Sequence, residues 1–102
     1  MINVVTKFKI VPGRMRQALE WAAKIASYVK KTTPDWDVFT LTPISGVGEV
    51  EFVFSYNVPS LSKYDEAVNI RRDKSDWQAL VKEARESDWF LGITRQFYNI
   101  VE

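Results

Sequence analysis

The chain contains no cysteine and no histidine. Without cysteine there is no disulfide, no thiolate nucleophile and no zinc–thiolate site. Without histidine there is no Ser–His–Asp triad, no imidazole base and no histidine-bound haem or zinc. An excess of one charge is missing too. Fourteen basic residues against 13 acidic ones leave +1, whereas a general nucleic-acid or membrane-surface binder needs a basic face. Long apolar runs are also absent. The longest charge-free stretches, Val38–Gly48 and Phe52–Ser62, contain Pro or Gly and fall far below the ~20 residues of a membrane helix. Lys7 and Lys9 stand where a signal peptide needs its apolar segment. The expectation is a cytoplasmic protein without cofactor or metal, and with neither nucleic acid nor membrane as a partner. What is present, 102 residues of which 46% are hydrophobic, suits a single domain over residues 1–102 with one core.

Glycine and proline, four of each, punctuate the chain at Pro12–Gly13, Pro34, Pro43 to Gly48, Pro59 and Gly92, and the elements fall between them. Ile2, Val4, Phe8 and Ile10 share one parity and Asn3, Lys7 and Lys9 the other, the period of a half-buried strand. Met15, Ala18, Leu19, Ala22, Ala26 and Val29 then form a helical stripe, with Trp21, Ile25 and Tyr28 as a second stripe beside it. A helix is predicted over 14–31. Trp36 to Thr42 is β-branched and aromatic, and Glu49 to Tyr56 alternates, with Val50, Phe52, Phe54 and Tyr56 on one face. Pro43 to Gly48 has the residues of a hairpin connection.

Ser60 to Leu91 contains no Gly or Pro, so helix is favoured. Its apolar period restarts after Arg71-Arg72-Asp73-Lys74-Ser75, which predicts two helices with a bend near Asp73 to Asp76. Ser75 with Gln78 reads as a capping box, and Ser62 with Asp65 as a weaker one. Ile93 to Val101 reads as the last strand. The order βαββαβ fits an α+β, ferredoxin-like, antiparallel four-stranded sheet with helices on one face, the first and third strands being central.

The stretch from Phe52 to Ala84, about a third of the chain, resembles the second half of NIPSNAP-type domains. These have a strand ending in an aromatic, a short cap, a helix carrying one or two arginines, and an Asp shortly before a Trp at the start of a second helix. Tyr56, Ser60, Leu61, Tyr64, Arg71, Asp73 and Trp77 carry the resemblance. The six-element plan is similar to the wider dimeric α+β barrel superfamily, whose relatives include antibiotic-biosynthesis monooxygenases, haem-degrading monooxygenases, polyketide cyclases and muconolactone isomerases. The resemblance implies a fold rather than a reaction. It also implies sheet-to-sheet dimers. The histidine that haem-degrading relatives use as ligand, and several others use as acid or base, has no counterpart here.

Candidate ligand-binding residues are therefore aromatic, amide and guanidinium groups: Trp36, Tyr56, Tyr64, Arg71, Trp77, Arg95 and Asn99. Arg95 and Asn99 share parity with Ile93 and Phe97, and a polar group on an inward face needs a partner. They either point into a cavity or, in Arg95's case, pair with a helix acid. Trp77 lies on its helix's apolar stripe and reads equally as core; Trp36 opens a strand and either packs or lines a cavity mouth. Arg71 and Arg72 either bind an anion or complement the end of their helix. Acid pairs such as Asp35/Asp37 and Glu83/Glu86 stand at element ends or on polar faces, where charges are ordinarily solvated.

On the opposite parity, Val5, Phe39, Leu41, Val53, Tyr98 and Ile100 are apolar and would form the interface of a homodimer through the uncovered sheet face. Two functions from different classes are open: a non-catalytic homodimer that binds a small apolar or aromatic ligand, or a cofactor-independent monooxygenase or cyclase acting on an aromatic, polyketide-like substrate.

Overall fold

The computed structural model describes residues 1–43 and 50–101. The elements are β1 (Ile2–Ile10), α1 (Met15–Thr32), β2 (Asp37–Leu41), β3 (Glu51–Val58), α2 (Leu61–Arg72), α3 (Ser75–Glu86) and β4 (Phe90–Asn99). The strands form one antiparallel sheet in the order β2-β3-β1-β4. β1 and β3 are thus central, as their clean alternation predicts. The hairpin reading of Pro43 to Gly48 falls, beyond Pro43 itself, on positions 44–48, and Glu49 as the start of the third strand on position 49, all outside the described residues. Val50 is exposed and lies just before β3; its carbonyl accepts from the Ile10 N–H at 2.8 Å.

One face of the sheet carries the core. Val4, Phe8, Ile10, Val38, Phe52, Phe54, Tyr56 and Val58 are all buried, and so is Thr6, which shares their parity. α1 covers this face with Ala18, Trp21, Ala22, Ile25 and Val29. The buried side includes Trp21 and Ile25 from the second stripe, while Leu19 and Ala26 from the first are only half-buried. α1 faces both the sheet and α3, which is why its apolar face is wide. Phe8 lies at the centre, stacked on Phe52 at 4.8 Å and edge-on to Trp21 at 5.7 Å. Such aromatic pairs add ~0.5–1.5 kcal/mol each beyond their burial.

Gly13 has φ +87°, a conformation that side chains resist; it closes the turn from β1 into α1, where the Arg14 N–H reaches the Val11 carbonyl at 3.0 Å. The second helical region is two helices, and the bend falls at Asp73 and Lys74. Its capping differs from the sequence reading. Ser60, not Ser62, caps α2, its hydroxyl accepting from the Lys63 N–H at 3.2 Å. Ser75 is already helical and makes no cap. Gln78 instead reaches back with Nε2 to the Arg72 carbonyl at 2.9 Å, tying α3 to the end of α2, whose last carbonyls have no partner within their own helix.

β4 begins three residues before the predicted Ile93 and ends at Asn99. Gly92 does not stop it, because it sits beside the register shift between Lys9 and Ile10; bulges are a usual place for a strand glycine. Ile100 therefore lies just past β4, its N–H reaching the Met1 carbonyl at 3.2 Å.

Candidate functional site

Strand pairing decides which side chains meet. Phe8 is opposite Ile93, Thr6 opposite Arg95, Val4 opposite Phe97 and Ile2 opposite Asn99, so these β4 residues share the inner face, as parity predicts. The helices leave that part of the face partly open: Ile93 and Phe97 remain 55% and 50% exposed. Between the inner sheet and the facing sides of α1 and α3 lies a cleft of about 500 Å³, within the ~300–1,000 Å³ of small-molecule sites. Phe8, Phe54 and Tyr56 form its floor and Trp21 and Ile25 one wall. Trp77, Val81 and Ala84 form the other, and Arg85, Ile93 and Arg95 stand at its edge.

Arg95 is held at its base. Its Nε donates to the hydroxyl of buried Thr6 at 3.0 Å, and no helix acid pairs with it among the described residues. The bond satisfies Thr6 and leaves the rest of the guanidinium at the cleft. Tyr56 is buried, and desolvation pushes its phenol up to about 12, with the positive fields of Arg71 and Arg95 pulling weakly the other way. At neutral pH it is a neutral hydroxyl able to donate, not a base. Trp77 is half-buried rather than core. Its ring lies 5.3 Å from that of Tyr28, whose hydroxyl donates to Asp76 Oδ1 at 3.2 Å. Burial, followed by that hydrogen bond, raises the Tyr28 pKa.

Arg71 is 6% exposed and lies between two indoles, its guanidinium carbon 4.8 Å from the Trp36 ring centre and 5.5 Å from that of Trp77. Nη2 donates to Thr33 Oγ1 at 3.1 Å, while Nε has no partner. Burial lowers its pKa, opposed by the nearby phenols of Tyr56, Tyr28 and Tyr64. Arg71 stands in the last turn of α2, where its charge complements the helix end as read from the sequence, and its side chain packs as an interior group. Trp36 is buried beside it, 5.9 Å from Tyr56 and 6.0 Å from Tyr64. Trp36 and Arg71 also line a groove of about 230 Å³ with Thr33, Asp35, Lys63 and Glu66.

Tyr56, Trp77 and Arg95 therefore meet in the cleft, Trp36 and Arg71 adjoin it through Trp77, and Tyr64 packs beneath, edge-on to Phe97 at 5.3 Å. Asn99 is exposed beyond the cleft. Thr6, Trp21 and Arg85 escaped sequence reasoning. Parity places Thr6 inward with Val4 and Phe8, and Trp21 lies on the second stripe of α1; Arg85, an exposed helix residue, leaves no signal.

The other face of the sheet is mixed. Phe39 and Leu41 are 49% and 50% exposed, Leu41 lies beside Val53, and Val5 lies between Ser55 and Gln96. Polar groups divide this apolar set. Asn3 Nδ2 donates to Ser55 Oγ and Asn57 Oδ1, both at 2.9 Å, and Tyr98 donates to Gln96 Oε1 at 2.6 Å. Lys7 pairs with Glu51 at 3.6 Å within the chain. Among the described residues no cluster of acidic side chains fits a metal ion, and no helix is long and apolar enough to cross a membrane.

No family model and no curated protein matches the chain. Solved structures do match. A NIPSNAP domain protein from Burkholderia xenovorans superposes with a TM-score of 0.81 at 15% identity, covering 99% of this chain and 95% of its own. A NIPSNAP family protein from Agrobacterium tumefaciens gives 0.76 at 15% identity, covering 99% and 86%. An antibiotic biosynthesis monooxygenase gives 0.68 at 16% identity over the whole of both chains. At such identities the likeness is one of fold, and it is the fold that the stretch from Phe52 to Ala84 and the order of elements predict.

Proposed function

We propose that this chain is a small homodimeric α+β protein that binds a small apolar or aromatic molecule in the cleft between its sheet and helices α1 and α3. The observation that carries this reading is the cleft itself, about 500 Å³ walled by Phe8, Trp21, Phe54 and Trp77 with the Tyr56 hydroxyl and the Arg95 guanidinium at hand. An apolar body buried there gains ~25 cal/mol per Å² removed from water, and the two polar groups set its orientation. Titration with 2-naphthol followed by tryptophan fluorescence tests it. Quenching that saturates, and that is lost when Ala84→Trp fills the wall, supports the reading; no quenching overturns it.

Dimerisation through the outer sheet face is supported by the half-exposed pair Phe39 and Leu41, with Leu41 beside Val53. Paired with a second copy, these side chains leave water together. A second reading, oxygenation or cyclisation of an electron-rich aromatic without cofactor, is favoured by the presence of a protonated Tyr56 and of Arg95 in one cleft. Both favour negative charge developing on a bound oxygen, and the substrate would itself supply the electrons. Oxygen consumption on adding a phenolic probe separates this reading from simple binding.

A further inference from the structure

The cations packed around the cleft's helices are mostly neutralised by carboxylates, whereas the two arginines that line the cleft are not. Among the described residues, Arg14 pairs with Asp88 at 3.1 Å, Arg16 with Glu20 at 3.5 Å, Lys24 with Glu83 at 3.1 Å and Lys82 with Glu86 at 3.9 Å. Three of these pairs engage the carboxylates of α3's second half and of the turn after it. Asp76, at the start of α3, accepts from the Tyr28 hydroxyl and from the Trp77 N–H. Arg85 and Arg95 are left without a carboxylate among the described residues, and both line the cleft, whose walls include no acidic side chain. Arg95 is moreover held through Nε by Thr6, which fixes the guanidinium in place and keeps its outer nitrogens free to donate. An aromatic cleft with two unneutralised guanidiniums at one edge suits a molecule with an apolar body and one negatively charged end.

We propose that the ligand class of this cleft is the apolar monocarboxylate, its ring body over Phe8 and Phe54 and its carboxylate taken by Arg95 with Arg85. This rests on the ligand-binding reading above and adds to it the charge of the ligand. A planar carboxylate matches the guanidinium fork, and a hydrogen bond between two ionised groups is roughly twice as strong as a neutral one. A polyanion such as a nucleotide fits poorly, because most of the lining is hydrocarbon.

Calorimetric titration with 2-naphthoate and with its neutral analogue 2-naphthamide tests the inference. The unmodified protein should bind the acid about tenfold or more tighter than the amide. In Arg95→Gln that ratio should fall, and in the double variant Arg85→Gln/Arg95→Gln it should reach about one, since the charge contact has gone. Arg16→Gln, on the exposed side of α1, should leave both affinities alone. Equal binding of acid and amide by the unmodified protein, or a preference that persists in the double variant, overturns the carboxylate and leaves the cleft as a neutral-ligand site. Failure of both compounds to bind overturns the ligand-binding reading as well.

Discussion

Two arginines of this chain meet aromatic side chains in opposite ways. Arg71 is closed in, with an indole on either side, a hydroxyl on one nitrogen and an unpartnered Nε. Arg95 stands on a strand that the helices leave half-open, bonded at its base and available at its tip. The first arrangement orders α2 against Trp36 and Trp77 at the expense of desolvating a charge. The second keeps the charge near water, where a ligand can replace the solvent. The contrast shows that burial, more than residue type, separates a packing cation from one whose charge stays accessible.

The sharpest way to break the comparison is at Arg71. Arg71→Ala removes two cation–π contacts and the Thr33 bond and opens a cavity, and should cost about 2 kcal/mol even after the relief of a desolvated charge. At roughly 4–8 °C per kcal/mol in a domain this small, Tm should fall by about 8–16 °C. Arg71→Met refills the space without the charge and should stay within about 1 kcal/mol of the parent. A Tm unchanged by Arg71→Ala would show that Arg71 does not hold this region together.

Tyr56 links the two regions and gives the next largest effect. Its phenol titrates near 12 when folded and near 10 when unfolded. Between those values the unfolded chain loses the proton first, so stability falls as pH rises. The loss from this group is fully developed above 12 and amounts to about 1.4 kcal/mol at pH 11. Urea midpoints at pH 8 and pH 11 should therefore converge in Tyr56→Phe by about that amount relative to the parent. An identical alkaline loss in both proteins would remove Tyr56 from the account.

Smaller still, Ser60→Ala removes the side-chain cap of α2 and should cost about 1 kcal/mol, while Ser75→Ala, at a position without a cap bond, should cost less than about 0.5 kcal/mol; both are read from thermal melts. Equal losses would contradict the capping seen here. On the outer face, Leu41→Glu should shift the sedimentation mass towards the 11.8 kDa of one chain. A monomeric parent would dismiss the dimer.

Sequence periodicity made most of the fold legible, because inward positions repeat every two residues in β1 and β3 and the change of period marks α1. It misplaced the caps, since Ser62 and Ser75 satisfy a spacing rule that takes no account of where the backbone turns into helix. Gly92 reads as a break, because the bulge beside it, with Leu91 as the extra residue of β4, is a property of the strand pair. The site was legible in part. Parity put Arg95 on the inner face, but whether a helix covers it depends on where α3 lies. Arg71 looked like a helix-end charge, and only packing against Trp36 and Trp77 shows it to be interior.

The central claim is that the cleft over Phe8 and Phe54, and not the groove beside Arg71, receives the ligand. The four tryptophans report on it separately, because Trp21 and Trp77 line the cleft, Trp36 lines the groove and Trp89 lines neither. In a ¹⁵N-labelled protein titrated with 2-naphthol, the indole N–H signals of Trp77 and Trp21 should show the largest shifts and Trp89 the smallest. Shifts centred on Trp36, or no shift at any indole, would contradict the account.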